Sequence, residues 1–326
     1  MANLIYLVMI LLITICRPAC ANDSSVGESN GSIQFLKQND ISMAKERLLI
    51  DSDRINVDYV FINHSAQDVT IPVAFPMPAI TKNGGEDHSP GIANFKLSVD
   101  GKPVHTQSRW RVMRIDEKGN STEDITEKVL QNHWTIQQLV EAFQSDDPIS
   151  YSDKEKESPL PSEWFVGDEL QNIAVQQYFI WQQRFPAGKE VIIHHAYTPS
   201  LSGGVPQSLK LITGDGSEYY TGDSCLTPLT RKSLQQLQNE IKHKSESRDD
   251  IGWDSLNYIL TTGANWKDGV IGDFTLRIHK QQKNEVVVPC FSYPLTQIAP
   301  LTLEFKQKNF KPTENIHLTF YYDASI

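Results

Sequence analysis

Residues 54–80 read RINVDYVFINHSAQDVTIPVAFPMPAI, and the fold class follows from this stretch. Ile55, Val57, Tyr59 and Phe61 alternate with polar Asn56 and Asp58. A polar break from Asn63 to Asp68 follows, and then Val69, Ile71, Val73 and Phe75 alternate again. Side chains on a strand point to opposite faces in turn, so a period of two on each side of a polar break predicts two β-strands joined as a hairpin. Pro72, Pro76 and Pro78 each lack a backbone donor, which places the second strand at a sheet edge.

The same reading extends outward in both directions. Ile33–Leu36 and Met43–Ile50 are strand candidates upstream. Downstream, Phe95–Val99 runs into the turn dipeptide Asp100-Gly101, and a further strand passes through Trp110, Val112 and Ile115. The period changes near 123–143, where Ile125, Val129, Trp134, Leu139 and Val140 fall at helical spacing. Residues 145–162 are polar and hold Pro148, Pro159 and Pro161, which reads as a charged loop. Beyond it, Ile173–Trp181 and Val191–Tyr197 flank the turn Phe185–Lys189, predicting a second hairpin. Thr227 as a cap, Pro228 at the first helical position and Leu234, Leu237 and Ile241 on one side predict a helix over 228–244. Strand patterns return at Phe274–Ile278, Leu301–Phe305 and Ile316–Tyr322. Many short strands without regular strand–helix alternation predict a mainly β chain, an antiparallel β-sandwich with short helical insertions. The expected organisation is an N-terminal β-rich half over 22–144 and a C-terminal one over 163–326.

Composition narrows the function classes. The chain has 326 residues, with 30 Lys and Arg against 40 Asp and Glu, a net charge of −10. Such an acidic balance argues against nucleic acid as a partner, because phosphate backbones need neutralising cations. Residues 4–16, LIYLVMILLITIC, form an apolar run with one polar member. As a helix it spans roughly 20 Å, short of the roughly 30 Å hydrocarbon core. Ala19 and Ala21 then supply small residues at the −3 and −1 positions. The expectation is a signal peptide over 1–21, cleaved at Ala21/Asn22, giving a periplasmic or secreted protein with no membrane span in the mature chain. A retained N-terminal anchor is the alternative. Cleavage removes Cys16 and Cys20 and leaves Cys225 and Cys290. In an oxidising compartment these read either as one disulfide bond or as two separate buried thiols.

Several longer motifs occur in order: Val57–Asn63, Val73-Ala74-Phe75-Pro76-Met77-Pro78, Phe185-Pro186-Ala187-Gly188, His195-Ala196-Tyr197-Thr198-Pro199-Ser200, Thr261–Trp266 and Ile271-Gly272-Asp273-Phe274. In these the chain resembles a secreted bacterial family, domain of unknown function 4424. The resemblance implies a bacterial, exported protein and offers no catalytic residues to carry over. It also implies that Cys225 and Cys290 stand where that family has its cysteines.

The search for chemistry yields few candidates. The sequence has no phosphate-binding loop, dinucleotide fingerprint, His-Glu-x-x-His or Gly-x-Ser-x-Gly. No cofactor and no metal site is expected. His194 and His195 are adjacent on a strand and so point to opposite faces. His195 reads as a half-buried structural histidine, or as a base completed by acids from neighbouring loops. The loop Gly263–Gly269 carries Asn265, Trp266 and Lys267 between glycines. Trp266 either anchors a partner, with Asn265 and Lys267 beside it, or folds back to plug the sandwich. The reading is therefore a non-catalytic binding or structural protein of the cell envelope, with an unknown protein or glycan as its partner. The alternative is a hydrolase with a site assembled around His195 and acidic loop residues.

Overall fold

The computed structural model describes residues 24–29, 32–77, 79–81, 93–116, 121–144, 164–166, 169–170, 172–215, 222–244 and 250–324. The expected leader over 1–21, its cleavage point and the charged loop at 145–162 lie outside the described residues. In chain order the strands of four residues or more are β1 (Ser24–Ser29), β2 (Ser32–Leu36), β3 (Ile41–Ile50), β4 (Ile55–Asn63), β5 (Val69–Pro76), β6 (Ala93–Val99), β7 (Gln107–Ile115) and β8 (Ser121–Asp124). They continue with β9 (Ile173–Phe185), β10 (Glu190–Thr198), β11 (Asp250–Tyr258), β12 (Ile271–His279), β13 (Val286–Cys290), β14 (Thr296–Ala299), β15 (Thr302–Phe310) and β16 (Ile316–Tyr322). The helices are α1 (Thr126–Gln131), α2 (Ile136–Gln144), α3 (Leu209–Thr213) and α4 (Pro228–Lys244).

The chain is mainly β, as the alternation predicts, and packs as a sandwich. An eight-stranded sheet in the order β14-β15-β12-β3-β4-β10-β6, closed at one edge by Lys102–Pro103, forms one layer. Two smaller sheets cover its inner face. One runs β8-β7-β9-β5-β1-β2 and the other is built on β11-β16-β13. A single core joins all three: Val57, Tyr59 and Phe61 from β4, Val73 and Phe75 from β5, and Leu318 and Phe320 from β16. Strands from before and after residues 145–162 share these sheets, since β9 pairs with β5 and β7, and β10 pairs with β4 and β6.

The two expected hairpins are not hairpins. β4 lies in the eight-stranded sheet and β5 in the smaller one, so the polar break between them is an arch that crosses the sandwich. β9 and β10 repeat the arrangement, with β9 on β5 and β10 on β4. Alternation cannot distinguish the two outcomes. In a hairpin the apolar sides of both strands face the same way, and in an arch they face each other, yet each gives a period of two. Polar contacts lock the stacked corners. Asn63 Nδ2 donates to the Phe185 and Gln67 carbonyls, both at 2.8 Å. The Gly188 N–H donates to the Asn63 carbonyl at 2.9 Å. Asp68 accepts from the Ala187 N–H at 2.9 Å and from Arg184 Nε at 3.1 Å, and these bonds, the backbone one first, lower its pKa.

The helices cover what the sandwich leaves open. Val129 of α1 and Leu139 and Val140 of α2 pack on Val112 and Val175 where the smaller sheet extends past the larger. The helical segment near 123–143 is thus two short helices, parted at His133, whose φ of 59° no continuing helix allows. α4 begins where the cap and Pro228 indicate. Thr227 Oγ1 accepts from the Thr230 N–H at 3.2 Å, and Thr230 Oγ1 accepts in return from the Thr227 N–H at 2.8 Å. Leu234, Leu237 and Ile241 lay α4 on the outer side of β13 and β16, against Val286, Val288 and Tyr321. A disulfide between Cys225 and Cys290 ties the approach to α4 to β13.

β3 and β12 form the one parallel pairing among these strands, and it joins residues more than 220 positions apart. β3 carries an irregularity between Met43 and Lys45. Gly272 faces it so closely that an added Cβ would lie 2.6 Å from the Ala44 carbonyl oxygen. Only glycine lets the two backbones meet here.

Candidate functional site

The outer face of the eight-stranded sheet carries a concentration of charge. On β3, Lys45, Arg47 and Leu49 point outward while Glu46, Leu48 and Ile50 point inward. On β12 the outward residues are Asp273, Thr275 and Arg277, and on β15 they are Glu304, Lys306 and Lys308. Strand register sets these in rows. Lys308, Asp273 and Lys45 form one row. Lys306, Thr275, Arg47, Asp58 and His194 form the next. Glu304, Arg277, Leu49 and Asn56 form the third. Most of these residues, though not Lys45, His194 or Glu304, line an open hollow of about 630 Å³.

Five cations and three carboxylates share this sheet face, although the chain as a whole carries a net charge of −10. Glu304 binds Arg277 Nε at 2.8 Å and Lys306 Nζ at 2.9 Å, contacts that hold its pKa below the usual carboxylate value, Lys306 foremost. Asp273 binds Lys308 Nζ at 2.7 Å, which lowers its pKa, with Lys45 and Arg47 adding to the effect. Asp58 Oδ1 lies 2.8 Å from His194 Nδ1. Thr275 sits at the centre, its side chain flanked by Lys306 and Arg47 across the strands and by Asp273 and Arg277 along its own.

His195 points to the opposite side of the same sheet. It is fully buried, its ring 4.8 Å from Phe75 and 5.4 Å from Tyr59, with Trp181 and Phe95 closing around it. It is therefore buried completely rather than by half. Loss of hydration lowers its pKa to about 3, with His194 adding repulsion, so the ring is neutral at physiological pH. Glu46 is the buried acid of this region, with Tyr258 Oη 3.4 Å from its Oε1 and Tyr59 Oη 3.3 Å further on. Both groups are shut off from solvent, so a substrate cannot reach His195. His194, with Asp58 on one side and Ser98 opposite in register, is the histidine that meets solvent.

Of the other residues singled out from sequence, Trp266 is 2% exposed. Its ring centroid lies 4.5 Å from Phe61 and 6.0 Å from Phe185, directly under the stacked arch corners. The indole is a plug, not an exposed anchor, because two short turns, Thr261–Asn265 and Lys267–Gly269, fold it inward. Asn265 lends its carbonyl to the Gln38 N–H at 2.7 Å. Lys267 is partly exposed, 3.9 Å from Asp268. The three do not converge on a common site. A second hollow of about 580 Å³ lies between α4 and the strands β13 and β14, lined by Leu229, Leu237, Val287, Phe291 and Tyr293. At its margin the Glu285 carboxylate accepts from the Gln281 and Gln282 N–H groups, and burial raises its pKa.

The residues of the charged face were not among the sequence candidates. β12 and β15 show the signal, since Asp273, Arg277, Lys306 and Lys308 occupy polar positions of alternating runs, whereas Lys45 and Arg47 stand in the unbroken charged run Lys45-Glu46-Arg47. What joins them is the pairing of β3 with β12, which lies too far apart in the chain to be read locally.

Fold and face together define an antiparallel β-sandwich that presents a charged sheet surface. The chain belongs to the family described as Domain of unknown function (DUF4424), which matches residues 21–318. No curated protein matches it. Among solved structures, a "putative nutrient binding protein" from Legionella pneumophila subsp. pneumophila aligns over 92% of this chain and 70% of its own, at 16% identity and a TM-score of 0.45. An M1 zinc metallopeptidase from Deinococcus radiodurans aligns over 87% of this chain and 43% of its own, at 10% identity and a TM-score of 0.29. This chain thus matches less than half of that peptidase.

Proposed function

We propose that this protein is an exported, non-catalytic binding protein of the bacterial envelope, and that it takes its ligand on the outer face of the eight-stranded sheet. One observation carries the reading: an acidic chain gathers Arg47, Arg277, Lys306 and Lys308 around one hollow, where they outnumber the lining carboxylates Asp58 and Asp273. Export is supported by the apolar leader over residues 4–16 and the small residues before Asn22. Burial of His195 supports the non-catalytic reading over a hydrolase assembled around that histidine.

The test has two parts. Mature protein recovered from a periplasmic fraction should have an intact mass starting at Asn22. A protein of net negative charge should still be retained on phosphocellulose at low ionic strength, because charged patches act locally within a Debye length. Retention should vanish in the double variant Arg47→Glu, Lys306→Glu. Wild type that passes straight through the column, or elutes with the variant, removes the support for this face. Protein found only in the cytoplasm with its leader intact refutes export.

A further inference from the structure

Resting on that reading, we infer that the ligand is a phosphorylated saccharide, with its phosphate seated over Thr275. Thr275 is only 8% exposed, at the floor of the hollow. Lys306 and Arg47 are its partners on the two neighbouring strands, Arg277 follows two residues on along its own, and all four line the hollow. The neighbouring carboxylates order these cations: Glu304 spans Arg277 and Lys306, Asp273 holds Lys308, and Asp58, paired with His194, stands opposite Arg47 in register. Glu304 thereby fixes two of the three cations in place without facing the third, Arg47, in its row. Guanidinium forks, a lysine point charge and a hydroxyl donor at adjacent positions of one sheet face suit a tetrahedral oxyanion, to which charged donors give the strongest hydrogen bonds.

The remainder of the surface suits a sugar rather than a bare ion. Leu49, 36% exposed, follows Arg47 on the same face of β3, and Asn56 and Asp58 stand on the next strand. Strands are spaced about 4.8 Å apart and residues about 3.3 Å along each, so these groups lie roughly 8–12 Å from Thr275, the distance of a monosaccharide ring attached to that phosphate. Leu49 offers the apolar contact that a pyranose face takes, and Asn56 and Asp58 offer partners for its hydroxyls. The hollow is open along the sheet, which leaves room for a saccharide that continues beyond one ring.

Calorimetric titration of the mature protein at low ionic strength tests this with glucose 6-phosphate, inorganic phosphate and glucose. Glucose 6-phosphate should bind, inorganic phosphate at least tenfold more weakly, and glucose not measurably. Arg47→Gln and Lys306→Gln should each weaken glucose 6-phosphate at least fivefold, and Asn56→Ala should reduce the advantage of glucose 6-phosphate over inorganic phosphate. These three side chains are at least partly exposed, and circular dichroism should confirm an unchanged fold. No binding of glucose 6-phosphate, or binding indifferent to Arg47→Gln and Lys306→Gln, overturns the inference. Inorganic phosphate binding as tightly as the sugar phosphate overturns its saccharide part. Phosphocellulose retention that persists while glucose 6-phosphate fails to bind leaves the ligand face standing and rejects this ligand. Loss of both rejects both.

Discussion

The two faces of the eight-stranded sheet are built from the same strands and obey opposite rules. His194 and His195 are neighbours in the chain, yet one meets an aspartate in water and the other sits in an aromatic cage with its proton lost down to about pH 3. The inner face gains from excluding every unpaired charge. The outer face crowds eight charges into three rows and remains open. Stability should therefore reside on the inner face and ligand recognition on the outer, and substitutions should separate the two.

The largest effect is expected at the plug. Trp266→Ala empties a space bounded by Phe61 and Phe185 and should cost about 3–5 kcal/mol, read from urea unfolding. A loss below about 1 kcal/mol would mean that the indole does not fill the core. Acid should act next, through His195. Its folded pKa of about 3 lies below the unfolded value of 6.5, so the unfolded chain takes the proton first. The neutral ring's contribution is complete above pH 6.5 and fades as pH falls toward 3, with a slope approaching roughly 1.4 kcal/mol per pH unit. His195→Leu should flatten that part of the stability profile. An unchanged profile would place the acid sensitivity elsewhere. The smallest effect is expected outside: Arg47→Gln and Lys308→Gln should shift unfolding free energy by no more than about 0.5 kcal/mol. A greater loss at these positions would erase the division of labour between the faces.

Much of this was legible in the sequence, for local reasons. The strands at 55–63, 69–76 and 173–185 follow the alternation, and α4 starts at Pro228 after its threonine cap. The cysteine pair forms the bond that its even count suggests. The arches were not legible, because side chains that face one another across a core repeat with the same period as those that share one side. Trp266 was ambiguous between plug and anchor because a glycine-bounded loop can fold either way. The inner position of Glu46 was hidden by the irregularity after Met43, which switches the faces of β3 halfway along. The charged hollow was invisible as a unit, because its rows form only when β12 settles beside β3.

The β3–β12 seam also governs the order in which the sheet can be finished. Every strand on one side of it comes from residue 271 onward. During synthesis the earlier strands must wait with the lateral edge of β3 unsatisfied until residues 271 onward arrive. Contacts this remote close slowly, and an unsatisfied edge invites pairing with other chains. A polypeptide terminated before Ile271 should accordingly self-associate rather than fold, which makes this molecule intolerant of C-terminal shortening out of proportion to the residues removed.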